Sequence, residues 1–100
     1  ELIEWIVIDD GDDSVEDLFK GVECVKYFRY EEKMKLGRKR NLLHEKSKGE
    51  ILVYMDDEDY YHHDRINHCV NRLRSRPKAV AGGSSLMYIY FKHLTRYECF

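Results

Sequence analysis

Proline occurs once, at Pro77, and glycine only six times, so no stretch of the chain reads as a proline-rich or glycine-rich linker or a low-complexity tail. Apolar runs are short: none approaches the ~20 residues needed to cross a bilayer. The opening Glu1-Leu2-Ile3-Glu4 has neither the basic start nor the small-residue cleavage site of a signal peptide. The three cysteines, Cys24, Cys69 and Cys99, are odd in number and far apart, without a CxxC pair or zinc-ribbon spacing. They read as reduced thiols, which favours a reducing compartment such as the cytoplasm. What is plentiful is the material of a folded domain: of 100 residues, 43% are hydrophobic, 36% charged and 13% aromatic. That balance excludes a disordered polar tail. At this length a chain buries roughly 60–68% of its unfolded surface, enough for one modest core, so residues 1–100 are expected to form a single domain.

Net charge is only −2, but its distribution is uneven. Residues 1–24 hold nine acids and one base, and residues 25–48 nine bases and three acids. Residues 49–64 then carry six acids and no base, and residues 65–100 seven bases and one acid. Two acidic blocks alternating with two basic ones is unusual for a merely solvated surface. Converging acids would call for a cation, and flanking bases for an anionic ligand. The basic stretch Lys33 to Lys48 lies between acidic blocks, which argues against a continuous nucleic-acid phosphate track.

Local patterns predict alternating strands and helices. Glu4 to Ile8 is a buried strand breaking at Asp9-Asp10-Gly11, and Val25 to Tyr30 is a second strand. Between them, Ser14 and Asp17 have capping-box spacing for a short helix from Val15 to about Gly21, with Leu18, Phe19 and Val22 inward. After a charged loop over Glu31 to Leu36, a basic helix runs from Gly37 to Lys48. Ile51 to Met55 is the clearest buried strand, stopping at Asp56-Asp57-Glu58-Asp59. Asp64 to Ser75 is an amphipathic helix with Ile66, Cys69, Val70 and Leu73 on one face, ended by Pro77. Ala79 to Ala81 and Leu86 to Phe91 read as strands about the turn at Gly82-Gly83-Ser84-Ser85. The order is that of an α/β fold, a mostly parallel, Rossmann-like sheet flanked by helices.

In an open parallel sheet, ligands gather at the carboxyl ends of the strands. Two acidic clusters fall at such ends: Asp9, Asp10, Asp12 and Asp13, then Asp56, Asp57, Glu58 and Asp59. Crowded carboxylates repel, and a hard divalent cation with oxygen ligands relieves that repulsion; Mg²⁺ commonly completes its shell with phosphate oxygens. The same acids also suit solvated turns and caps. The pair points to a metal–nucleotide site.

These residues resemble the family-2-type glycosyltransferases of the GT-A fold. Trp5-Ile6-Val7-Ile8-Asp9-Asp10-Gly11 looks like the family's second-strand motif, and Gly37-Arg38-Lys39-Arg40-Asn41-Leu42-Leu43 like its arginine–asparagine helix start. Gly49 through Tyr61, with Asp56-Asp57-Glu58, is similar to the strand carrying a DXD-type motif, and Asp64-Arg65-Ile66 to the helix after it. The resemblance spans roughly residues 4–75. It implies that Asp9 and Asp10 lie against the base and ribose of a UDP- or GDP-sugar, with Arg40 and Lys39 at the base or phosphates. It further implies that Asp56 and Asp57 contact the donor, and that Asp56 and Glu58 bind Mn²⁺ or Mg²⁺ on the diphosphate. Inverting transfer of the sugar to the hydroxyl of a glycan, protein or small-molecule acceptor would follow. Glu58 stands where the family has aspartate, Asp12 and Asp13 where serine and threonine are usual, and Leu43 where glycine is customary. The family's first strand and a catalytic-base carboxylate find no counterpart, so the domain reads as an incomplete donor-binding core.

Other readings use the same residues. A phosphoacceptor receiver also places an aspartate pair after an early strand and an aspartate after a later one, at the separation of Asp9 and Asp56. Ser84 would supply its hydroxyl, but Lys92 falls too early for its lysine, and Gly37 to Leu43 goes unexplained. A catalytically silent nucleotide-sugar-binding fragment is a third reading. His62-His63-Asp64 with His68 raises a zinc site, but His63 to His68 is i,i+5 where a helical zinc pair wants i,i+4. His62 and His63 are therefore expected to shape a cleft mouth or to precede a helix capped by Asp64.

Overall fold

The computed structural model describes residues 4–99, apart from the side chain of Tyr97. It contains two compact units, Glu1–Leu52 and Val53–Phe100.

The first unit is built on strands β1 (Trp5–Asp9) and β2 (Val25–Arg29), paired in parallel with Trp5 opposite Val25 and Asp9 opposite Arg29. Side chains alternate along each strand, so this register sorts them onto two faces. Trp5, Val7 and Asp9 share one face with Val25, Tyr27 and Arg29; Ile6, Ile8 and Asp10 follow the strand onto the other with Lys26 and Phe28. The connection carries a single 3₁₀ turn, Glu16–Phe19, in place of the expected helix. The capping box does not form. Ser14 Oγ accepts the Glu16 N–H at 3.3 Å, a contact two residues along, and the N-cap residue is Val15. Of the three side chains expected inward, Leu18 and Val22 are exposed. Phe19 alone packs, edge-on to Trp5 with ring centroids 5.5 Å apart and tilted to Tyr27 at 5.9 Å. Gly21 turns the chain back at φ +83°, a conformation in which a side chain would be strained.

Helix α1 (Leu36–Lys46) lies along the other face. Lys46 Nζ sits 4.1 Å from the centre of the Phe28 ring, a cation–π contact that seats the last turn on β2. Among the described residues no side chain in either unit is fully buried, so packing relies on half-buried aromatics and polar ties rather than on a dry core.

The residues over 51–55 form no strand. A strand exists through its ladder, and among the described residues this segment has no ladder partner. Ile51 and Val53 are half-buried, whereas Leu52, Tyr54 and Met55 are exposed.

In the second unit, α2 (Arg65–Arg74) presents Ile66, Cys69, Val70 and Leu73 as its half-buried stripe, as their spacing dictates. Arg72 and Arg74 occupy the last turn, where a helix favours positive charge. Residues 79–81 are not a strand either: Val80 is fully exposed and nothing described pairs with it. The chain instead ends in an antiparallel hairpin of β3 (Tyr88–Phe91) and β4 (Arg96–Cys99), joined through Lys92 to Thr95. The three cysteines are free thiols. No described helix is long and apolar enough to cross a membrane.

Candidate functional site

Strand alternation sends the two adjacent aspartates at the end of β1 in opposite directions. Asp9 turns toward β2. Its Oδ1 accepts the Gly11 N–H at 2.8 Å and Arg29 Nη1 at 2.9 Å, and its Oδ2 accepts the Val15 N–H at 3.3 Å and the Tyr27 hydroxyl. With four donors on a side chain only 9% exposed, this carboxylate is committed to shaping the turn. The Tyr27 hydroxyl, then the Gly11 and Val15 N–H groups, then the Arg29 charge hold it below the usual aspartate range, against the opposing effect of burial.

Asp10 turns toward α1. It accepts the Met34 N–H at 2.7 Å and Lys39 Nζ at 2.9 Å, with side chains 13% and 30% exposed. These two contacts, the Met34 N–H first, lower its pKa as well. Lys39 and Arg38 add positive charge to the first turns of α1, where the helix dipole disfavours it; Asp10 supplies the compensating anion. Arg40, one residue on, is exposed on the helix surface.

Glu4 performs the matching task at the start of β1. It takes Lys26 Nζ, and its other oxygen takes the backbone N–H groups of Lys48 and Gly49 beyond α1. Lys26 first, then the Lys48 N–H, lower its pKa. Tyr27, Arg29 and Glu4 were not among the expected site residues. The signal lay in the parallel register, which puts Tyr27 and Arg29 on the face of Asp9, but register is invisible until the pairing is known.

In the second unit the acidic run Asp56 to Asp59 is a turn organised by Tyr61. The Tyr61 hydroxyl accepts the Asp56 N–H at 2.8 Å and donates to Asp59 Oδ2 at 3.2 Å, while the Asp59 N–H returns to the Asp56 carbonyl at 3.4 Å. Arg65 stacks on the Tyr61 ring at 4.3 Å and donates to the Tyr54 carbonyl at 2.9 Å, tying the turn to the start of α2. Asp56, Asp57 and Glu58 are all exposed. Among the described residues the carboxylates of Asp57 and Glu58 have no hydrogen-bond or ion-pair partner. Asp56 and Glu58 are exposed oxygen donors two residues apart, the donor type that a hard divalent cation takes alongside phosphate and water. Among the described residues they do not belong to a preformed group of three ligands. The grouping of that kind is His62, His63 and Asp64.

A family model described as glycosyl transferase family 2 matches residues 1–98. The chain belongs to glycosyltransferase family 2. No curated protein and no solved structure matched it. Glycosyl transfer is the chemistry of that family, and the parallel β1–β2 pair with α1 beside it is consistent with an incomplete piece of the α/β, GT-A architecture. The aspartates on which a receiver reading drew lie within the family match, together with Gly37 to Leu43, which a receiver leaves unexplained.

Proposed function

We propose that the chain binds a nucleotide-diphosphate sugar, UDP- or GDP-linked, through a divalent cation, Mn²⁺ or Mg²⁺, and passes the sugar to an acceptor hydroxyl with inversion. The observation that carries this reading is the exposed acidic turn at Asp56 to Asp59, held open by Tyr61, in a chain matched to the family over both of its units. The match across both units also supports treating residues 1–100 as one donor-binding domain.

In this reading Asp56 and Glu58 hold the cation, and Asp57 lies beside the donor. The cation supplies charge neutralisation on the departing diphosphate, which is a poor leaving group without it. Lys39 and Arg40 bring positive charge to the base or its phosphates. Asp9 and Asp10 lie against the base and ribose, while Asp10 also holds the Lys39 ammonium and Asp9 the turn at Gly11. No residue of the chain is assigned as the catalytic base.

Calorimetric titration of UDP, GDP and their sugar conjugates, with Mn²⁺ and again after chelation, tests the reading. One nucleotide should bind with Mn²⁺ and lose affinity on chelation, and Glu58→Ala should abolish the metal-dependent part while leaving the fold intact. Binding that ignores chelation, or metal-dependent binding unchanged in Glu58→Ala, overturns it.

A further inference from the structure

Three residues just before α2 converge without having been assigned to the donor site. His62, His63 and Asp64 are exposed, and each offers a ligand atom within 4.8 Å of the other two. Asp64 stands at the N-cap of α2, yet its side chain makes no capping hydrogen bond. Its Oδ2 lies instead 3.4 Å from His63 Nε2 and 3.8 Å from His62 Nδ1. The two imidazole rings lie with centroids 4.0 Å apart and planes 34° from parallel, so their nitrogens approach the carboxylate together.

His62 Nδ1 accepts the Asp64 N–H at 3.2 Å, so an ion taken by that nitrogen would replace this bond, and the amide N–H, in an exposed stretch, would turn to water. The spacing suits one kind of cation. Bonds of about 2.0–2.1 Å in a tetrahedral zinc site put neighbouring ligand atoms roughly 3.3–3.4 Å apart. The His63–Asp64 separation already meets that edge, the His62–Asp64 separation is a few tenths of an ångström longer, and the three ligand atoms lie within 4.8 Å of one another, so side-chain rotation is what closes them on one ion.

We propose that His62, His63 and Asp64 form a binding site for a transition-metal ion of the zinc class, separate from the hard-cation site read at Asp56 and Glu58. The donor sets differ in kind. Imidazole nitrogen suits Zn²⁺, Cu²⁺ and Ni²⁺, whereas carboxylates alone suit Mg²⁺ and Mn²⁺. The helical i,i+4 rule does not apply, because the ligands lie on the loop ahead of the helix and His68 takes no part. Exposure of all three leaves the remaining coordination positions to water or to a further donor. The site does not depend on the donor reading above.

The test is a titration of the reduced full chain with Zn²⁺ alone, followed by the ring ¹⁵N shifts of His62 and His63 and by calorimetry. Both rings should shift saturably. His63→Ala, and independently Asp64→Asn, should raise the Kd about tenfold or more, since even loss of an outer hydrogen-bond partner costs 10–100-fold at metal sites. Glu58→Ala should leave the Kd within about twofold. Unmoved ring resonances overturn the proposal, as does zinc binding unaltered by His63→Ala, which would place the ion on a cysteine. Equal losses in Glu58→Ala and His63→Ala overturn the claim of separate sites. Because nucleotide and Mn²⁺ are absent, failure here and failure of the donor reading are read independently.

Discussion

Asp10 and Lys39 are joined by a 2.9 Å ion pair that ties the carboxyl end of β1 to the first turns of α1. The same carboxylate accepts the Met34 N–H just ahead of the helix, and Glu4 does the equivalent at the other end of the strand by taking the Lys48 and Gly49 N–H groups. One strand therefore fastens α1 at both ends through its own acids. In a unit without a fully buried side chain, such ties carry a larger share of the packing than they would over a dry core.

Removing Asp10 and removing Lys39 should then differ. Asp10→Ala takes away the partner of Lys39 and also strands the Met34 N–H, whereas Lys39→Ala leaves Asp10 with one of its two donors. An unmade hydrogen bond at a partly buried donor costs more than a lost ion pair at a half-exposed one. Thermal unfolding should place Asp10→Ala lowest, Lys39→Ala between it and the parent, and the double variant close to Asp10→Ala. A larger drop for Lys39→Ala would show that the backbone contact contributes little.

Tyr27→Phe removes the hydroxyl that donates to Asp9 Oδ2 and lies 3.1 Å from Ser14 Oγ. A hydrogen bond to a charged group contributes about 1.5–3 kcal/mol, and urea unfolding at pH 7 should show a loss in that range. The pH dependence has a definite sign. Asp9, Asp10 and Glu4 are all held below their ordinary values, so the stability they contribute is complete above the ordinary carboxylate range. It drains away as pH falls from about 5 through their lowered values. The gap between Tyr27→Phe and the parent should therefore close on acidification, as Asp9 takes up a proton in both. A gap that persists in acid would assign the loss to the hydroxyl's other bond, with Ser14 Oγ at 3.1 Å.

The hairpin holds a strained residue. Thr95 has φ +51°, in the left-handed region that a β-branched side chain avoids. Its position closes the turn between β3 and β4, with the Leu94 N–H on the Phe91 carbonyl at 3.0 Å. Thr95→Gly should relieve about 1–2 kcal/mol of that strain, less the entropy glycine adds to the unfolded chain. A net gain in the urea midpoint is expected. An unchanged or lower midpoint would mean that Thr95 returns the cost through contacts of its own.

What the sequence disclosed, and what it withheld, follows from the range of the interactions. Trp5 to Asp9, Val25 to Arg29 and the stripe Ile66, Cys69, Val70 and Leu73 were legible because period and composition are local. Ile51 to Met55 misled for the same reason. Its composition is that of a buried strand, but a strand also needs a partner, and no local pattern supplies one. The capping box failed because Val15, not Ser14, holds the N-cap position. The acids were found by type, while their holders, Tyr27, Arg29 and Tyr61, were not: the first two depend on register, and Tyr61 on a turn that brings it back over five residues. His62, His63 and Asp64 were weighed against a helical template, although the grouping they make is in a loop.

Lys39 and Arg40 are neighbours in sequence with different duties, and this separates fold from ligand. Lys39 is spent on Asp10, so Lys39→Ala should lower stability and nucleotide affinity together. Arg40 is exposed, and loss of a contact at an exposed side chain usually changes stability by no more than about 1 kcal/mol. If it makes a charge-assisted contact to the nucleotide, Arg40→Ala should weaken binding by about 1.5–3 kcal/mol, a tenfold to hundredfold rise in Kd, with the melting temperature nearly unchanged. Calorimetry with the nucleotide that binds the parent, set beside a thermal melt of each variant, reads both quantities. A loss of affinity under a few tenths of a kcal/mol would return Arg40 to the solvated surface and leave Lys39 as the basic contact of α1.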